Sequence, residues 1–426
     1  MLTHYLKLAV KILRRRKFFT FISLFGVSFS LLVLLVVAAL FDHVFAPHAP
    51  ETRSDRTLGV YFLSIKGPDW STGAGPGYYF LDRYVRPMAA LPEVEKVSLF
   101  SRAAPVVLYE NGQRLEPYLK RTDSQYWQIL QFDFVEGRPF TSDDDKNARP
   151  VAVINEATRR RFFGEAQAVG RTFEMDGRRF RVIGVVRDVP ILREVAFSDI
   201  WTPVSTDRSP GYRSEWTGGF TAILLARDRS GLPAIKSDFQ ARLREARSQF
   251  PDPSFFTSAP PRGTLKVRSG ADTPFEGVAR QVLGGLVDEG HAEKLLSLLV
   301  LLAVLFMVLP SLNLININLS RILERSSEIG VRKAFGASSG TLVVQFVVEN
   351  VVLTLIGGLI GLALAVPVLA ALNASGVIAY AHLALNLRIF FQGLALAVFF
   401  GLLSGVYPAW RMSRFHPVYA LKGGSL

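Results

Sequence analysis

The chain has 426 residues, no cysteine, 49% hydrophobic and 20% charged side chains, and 49 Lys+Arg against 36 Asp+Glu, a formal charge of +13. With a mean hydropathy of +0.25 it is too apolar for disorder and too apolar for an average soluble domain. The absence of cysteine excludes a disulfide scaffold, a zinc knuckle, a thiol nucleophile and an iron–sulfur cluster. A pI near 10.0 raises nucleic acid as a partner only if the charge lies on one folded surface.

Residues 1–17 place Leu2, Tyr5, Leu6, Ala9, Ile12 and Leu13 at helical spacing, with Lys7, Lys11, Arg14 and Arg15 largely on the other face. An amphipathic helix in the membrane interface is favoured over a plain cytoplasmic extension, with Lys11, Arg14, Arg15, Arg16 and Lys17 as the basic membrane-surface group. Residues 18–41 are predicted to be the first transmembrane helix: Phe18–Phe41 is 24 residues without an ionisable group, long enough to cross a hydrocarbon core of about 30 Å. The run exceeds a signal-peptide core and no A-x-A site follows, so it reads as an uncleaved anchor.

Residues 42–290 are long enough to bury a sizeable core, and their charge is nearly balanced. Asn111-Gly112 and Asp176-Gly177 each stand between alternating runs, as two-residue hairpin turns require. Helical patterns cover Tyr79–Leu91, Asn155–Phe163 and Ala234–Phe250, while VAVI and FRVIGVV read as strands. An α+β domain follows, in one lobe or two. Asp143, Asp144 and Asp145 lack EF-hand spacing and read as a solvated turn. Six scattered histidines form no metal-ligand pair. GEAQAVGRT at 164–172 has the wrong glycine spacing for a P-loop and Arg171 in place of its lysine. No metal site and no catalytic site is expected.

Three further spans follow in residues 291–319, 341–372 and 389–410, joined by a 320–340 loop and a short 373–388 outer loop, with a tail at 411–426. The fold class is thus a membrane protein, four transmembrane α-helices with a large α+β extracytoplasmic domain inserted between the first and second. Residues 1–17 carry +6, the 320–340 loop +2 and the tail +3, which leaves +2 on 42–294. The positive-inside rule then places both termini and the 320–340 loop in the cytoplasm and the large domain outside. Charge of this kind records topology, so no nucleic-acid partner is expected, and membrane lipids are.

The 320–340 loop, SRILERSSEIGVRKAFGASSG, mixes apolar residues with both signs of charge, a pattern suited to docking a partner. Within the spans, Gly357 and Gly361, and Gly401 and Gly405, are spaced to let helices approach. Asn313, Asn316, Glu349 and Asn350 must face protein or the cytoplasmic boundary, because a charge in lipid costs about 2.5–3.5 kcal/mol or more. For Glu349 a structural hydrogen bond is favoured over a proton-relay or substrate role.

NLININLSRILERSSEIGVRKAFGAS at 313–338, GLLSGVYPAWRMSRFHPVYAL at 401–421 and FVEGRPFTSDDDKNARPVAVINEATRRRFFGEAQAVGRTFEMDGRRFRVIGVVRDVP at 134–190 closely resemble the FtsX/MacB-like permeases of bacterial ABC transporters, the type VII or mechanotransmission class, with a MacB-type periplasmic core domain. The resemblance implies a non-catalytic subunit of the bacterial inner membrane that works as a homo- or heterodimer with ABC ATPase subunits. Docking of the ATPase would fall to Glu324, Arg325, Glu328, Ile329, Gly330, Arg332, Lys333, Ala334 and Gly336. This chain would bind no cofactor; ATP and Mg would sit on the ATPase, expected as a separate chain because only 17 residues precede the first span. Export or extraction of a peptide, lipid, lipoprotein or drug-like compound is the implied function, with room for a periplasmic adaptor. The alternative is a signalling subunit that drives an outer partner, such as a cell-wall hydrolase, without transport.

Overall fold

In a computed structural model of the chain, the structure describes residues 17–66, 71–110, 112–249, 266–283, 291–324 and 339–413. The chain divides into two compact units: a folded unit of Val44–Leu295 with Gly376–His382, and a helical unit that holds the other described residues.

The folded unit is built on a ten-stranded mixed sheet. Its strands are β1 (Thr57–Val60), β2 (Val94–Ser101), β3 (Ala104–Pro105), β4 (Tyr118–Thr122), β5 (Phe134–Gly137), β6 (Val151–Asn155), β7 (Thr172–Met175), β8 (Arg178–Val186), β9 (Ile200–Pro203) and β10 (Phe220–Ala226). The order is β1-β10-β2-β4-β9-β6-β8-β7, with β3 beside β4 and β5 beside β8. Pairs β4/β9 and β6/β8 are parallel and the others antiparallel. The interior strands β6, β9 and β10 are buried at every position, as strands covered on both faces must be.

The VAVI and FRVIGVV segments are β6 and β8, neighbours in the sheet. Between β7 and β8, Asp176 and Gly177 take φ of 53° and 66°, the two positive values that a type I′ hairpin turn needs. Gly112 has φ of 74° between paired Leu108–Glu110 and Gln113–Leu115; Asn111 lies outside the described residues. Asn155 caps the helix Glu156–Phe163 by accepting from the Thr158 N–H at 2.8 Å, and a long helix, Leu232–Gln249, matches the third helical pattern. The first pattern forms a less regular element: one α turn, a π segment and a 3₁₀ segment run in succession through Tyr78–Ala90, where Pro87 interrupts regular hydrogen bonding.

Asp143–Asp145 correct one expectation. They are the middle of a short helix, Ser142–Lys146, with a capping box on Thr141, and Asp144 is buried. Its carboxylate accepts from the Thr141 N–H and Oγ1, both at 2.9 Å, and pairs with Arg149 at 3.2 Å. The acidic run therefore caps a helix, which a reading by charge alone could not distinguish from a solvated turn.

The helical unit contains α1 (Lys17–Phe45), α2 (His291–Glu324), α3 (Ser339–Ser375) and α4 (Leu387–Ser413), apart from the few terminal residues of α1 and α2 that belong to the folded unit. Thr20–Phe45 and Val347–Ser375 are each long and apolar enough to cross a membrane. Val27 and Leu31 of α1, Leu353 of α3 and Ala397 of α4 form one buried cluster, and Leu35, Ala365 and Phe390 a second. Leu298, Leu299, Val300, Leu301 and Leu302 of α2 are all exposed within the single chain.

Candidate functional site

The sequence-derived docking residues Arg325, Glu328, Ile329, Gly330, Arg332, Lys333, Ala334 and Gly336 lie outside the described residues, as do Lys11, Arg14, Arg15 and Arg16. Glu324 is the last residue of α2, and Lys17 is exposed at the start of α1. Asn313 and Asn316 lie on α2 and Gly405 on α4, without described surroundings. The remaining packing residues are well placed. A Cβ on Gly357 would lie 2.8 Å from Val27 Cγ1, and one on Gly361 would lie 2.9 Å from the Ser28 carbonyl oxygen and 3.2 Å from Leu31 Cβ. These two glycines therefore admit α1 against α3 within one chain. A Cβ on Gly401 would meet Thr354 Oγ1 at 2.6 Å, so α4 approaches α3 the same way. Glu349 and Asn350 are buried on α3.

A dense polar arrangement that no motif announces lies around residues 191–199 of the folded unit. Glu51, six residues beyond the end of α1, accepts from Arg193 Nη1 at 3.2 Å and from the Ala196 N–H at 3.2 Å. Arg193 is buried, and its Nη2 donates to the Ala46 carbonyl at 3.0 Å. From the sheet side, Lys120 on β4 donates to the carbonyls of Glu194 and Val195 at 2.7 and 2.6 Å, and Tyr126 Oη donates to Val195 O at 2.9 Å. Lys120 has no solvent exposure and sits 5.2 Å from the Phe100 ring centroid. Burial pulls its ammonium down to about 7, against the opposing pull of the Glu51 and Glu194 carboxylates. Burial also pushes the Glu51 carboxyl up, with Arg193 opposing. The buried Arg193 and the partly buried Glu51, charges of opposite sign that are each bonded to backbone, thus hold the chain after α1 to the 191–199 segment.

The same segment receives the connection between α3 and α4. Residues 376–382 belong to the folded unit, although the sequence reads them as part of a plain outer loop. The Ile191 N–H donates to the Ala379 carbonyl at 3.2 Å, and Tyr380 Oη donates to Asp199 Oδ1 at 3.0 Å. Asp199 also accepts from Asn155 Nδ2 at 3.0 Å and from the Tyr118 N–H at 2.9 Å. Burial, and next the Asp199 carboxylate, push the Tyr380 hydroxyl up to about 12, so it remains a donor. Residues 191–199 therefore anchor both the segment that leaves α1 and the one that joins α3 to α4. No cluster of three or more potential metal ligands occurs among the described residues.

Comparison with known proteins places this architecture. A MacB-like periplasmic core domain matches residues 20–242, more than half of the chain, and an FtsX-like permease C-terminal region matches 300–417. The chain belongs to the FtsX/MacB-like ABC transporter permease family. Relatives of this permease include the macrolide export ATP-binding/permease protein MacB of Chromobacterium violaceum, 25% identical over 86% of this chain and 53% of that protein. The pyoverdine export ATP-binding/permease protein PvdT of Pseudomonas syringae pv. syringae is 27% identical over 85% and 50%. The ABC transporter permease YvrN of Bacillus subtilis is 24% identical over 84% and 82%. The permease thus spans about half the length of its MacB and PvdT relatives. The periplasmic region of MacB from Actinobacillus actinomycetemcomitans aligns with 54% of this chain and 95% of its own, at 14% identity and a TM-score of 0.34.

Proposed function

We propose that this FtsX/MacB-like permease is the membrane subunit of an inner-membrane ABC exporter, with four spans and both termini in the cytoplasm. ATP hydrolysis on a separate ATPase chain moves its outer domain and expels or extracts a peptide, lipid, lipoprotein or drug-like compound. The observation that carries this reading is the double anchoring of residues 191–199. Tension on α1 reaches Ala46 and Glu51, tension on α3 or α4 reaches Ala379 and Tyr380, and both arrive at one loop tied through Lys120 to the central sheet. Interiors are close-packed and deform little, so a pull on that loop displaces the domain as a body. The names of the MacB and PvdT relatives, macrolide and pyoverdine export proteins, support the export branch. A second permease chain and a periplasmic adaptor are the further partners of this reading. ATP and Mg belong to the ATPase in it, and this chain makes and breaks no covalent bond.

The ATPase would dock on Glu324–Gly336, where charges of both signs set register and Ile329 supplies apolar burial. Glu328→Ala with Arg332→Ala is expected to abolish co-purification of the ATPase from detergent while the permease itself stays folded; retained co-purification and full activity would sink the docking assignment. In proteoliposomes with the ATPase, export predicts hydrolysis stimulated by a small compound or lipopeptide. Stimulation by a folded outer partner alone would show the signalling alternative instead.

A further inference from the structure

A cavity of about 370 Å³ lies within the folded unit, at the small end of the roughly 300–1,000 Å³ range of small-molecule sites. Phe45, Phe100, Leu130, Ile191, Phe197 and Val278 supply apolar wall. Val44 and Phe45, also in the wall, are the last two residues of α1, and Phe45 is braced edge-to-face on Phe275 at 5.5 Å. The cavity therefore begins where the first apolar span ends.

The polar groups are placed unlike the apolar ones. Tyr61 lies in a slot that only glycines leave open: a Cβ on Gly59 would come within 2.0 Å of its ring, and one on Gly277 within 2.5 Å. Its hydroxyl has no hydrogen-bond partner among the described residues, and burial pushes it far above the usual phenol range, so it is a lasting donor. Arg102, Glu194 and Gln281 line the cavity and are exposed, which marks them as its mouth. Arg102 donates to the Tyr61 carbonyl at 2.5 Å and has no carboxylate within ion-pair distance among the described residues. The deeper charges are already engaged, Arg193 with Glu51 and Arg53 with the carbonyls of Gln128 and Ile129.

We infer that this cavity takes the acyl chain of an amphiphile, with the carboxylate or phosphate of its head against Arg102. A largely apolar chamber, with a cation at its mouth that pairs with no carboxylate among the described residues, matches one chain and one anionic group. Glu194 at the same mouth repels a second negative charge and so selects a head of small net charge. Free fatty acid and zwitterionic phospholipid share that chemistry. As a cargo site the cavity deepens the export reading and rests on it; as a binding site it stands without it.

The test uses the full chain in phosphatidylcholine nanodiscs with a twelve-carbon fatty acid bearing a photoreactive diazirine at its tail, mapped by mass spectrometry after illumination. Label is expected on Phe100, Leu130, Ile191 or Phe197. Val278→Trp at the partly exposed wall and Arg102→Glu at the mouth should each lower it about tenfold, as filling the chamber or reversing the positive charge at its mouth requires. Competition by unlabelled laurate alone identifies a free fatty acid as ligand, and competition by lysophosphatidylethanolamine identifies a membrane lipid. Label confined to the apolar helices, or unchanged in both variants while their melting temperatures stay at the wild-type value, overturns the site. Cavity label without any stimulation of the ATPase by laurate or lysophosphatidylethanolamine keeps the site and removes its cargo role. ATPase stimulation by another compound without cavity label keeps the export reading and overturns the site.

Discussion

Lys120 has no contact with solvent, and its ammonium faces two backbone carbonyls and an aromatic ring. Between its folded value near 7 and its unfolded value near 10.5, the unfolded chain holds more protons at this site than the folded one. Lys120 therefore lowers stability fully below pH 7, and that penalty is relieved as pH rises toward 10.5. Thermal unfolding of wild type and Lys120→Met across pH 7 to 10 should show the wild type gaining on the variant with rising pH; a difference independent of pH would show that Lys120 is charged in both states throughout. Tyr380 makes the complementary case. Tyr380→Phe removes one donor from Asp199 but leaves those of Asn155 and Tyr118, so a cost of about 1.5–3 kcal/mol is expected, the range for a hydrogen bond to a charged group. Hydrogen exchange should quicken at 376–382 and 191–199 and stay unchanged in β10; unchanged exchange at both segments would remove Tyr380 as an anchor. Neither residue stands out in the sequence. In YLKRT the alternation sends Lys120 to the face opposite Leu119, and nothing local says that this face is covered too.

At the scale of elements, chain order and local chemistry carried most of the fold. The hairpin at Asp176-Gly177, the strands β6 and β8 and the helices capped by Asn155 and beginning at Leu232 all follow from turn chemistry and periodicity, which are local properties. The irregular Tyr78–Ala90 helix and the capped Ser142–Lys146 helix were less legible, because proline placement and an N-cap change the geometry of a short segment without changing its hydrophobic pattern. The glycine pairs were recognisable as packing sites but not their partner: Gly357 and Gly361 meet α1 of their own chain. Gly361→Leu should push α1 away from α3 and destabilise by about 1–3 kcal/mol, the usual cost of overpacking. Leu359→Ile, at an exposed position two residues away, should be neutral in the same detergent melting experiment. Equal melting temperatures for both variants would mean that the close approach does not contribute.

For the whole molecule, α2 presents an almost unbroken apolar surface from Leu296 to Leu305 that this single chain leaves exposed. In the proposed membrane setting it meets lipid or a second permease chain. Because the protein has no cysteine, Leu301→Cys gives a single reactive site without further change. Oxidation in membranes should yield a disulfide-linked dimer, and Leu225→Cys, buried in β10, should not. Failure of every position from 298 to 302 to cross-link would remove α2 as the contact between copies.

By itself the sequence determined the family, the apolar segments and the α+β character of the inserted domain. Each of these is written in composition, spacing or motifs along the chain. It took the folded chain to place residues 376–382 in the folded unit, to bring Glu51, Lys120, Arg193, Asp199 and Tyr380 together at one nine-residue segment, and to open a chamber beside Arg102. Convergence of this kind joins residues more than 300 positions apart, and burial of a charge depends on what the rest of the chain lays over it, so neither leaves a local signal.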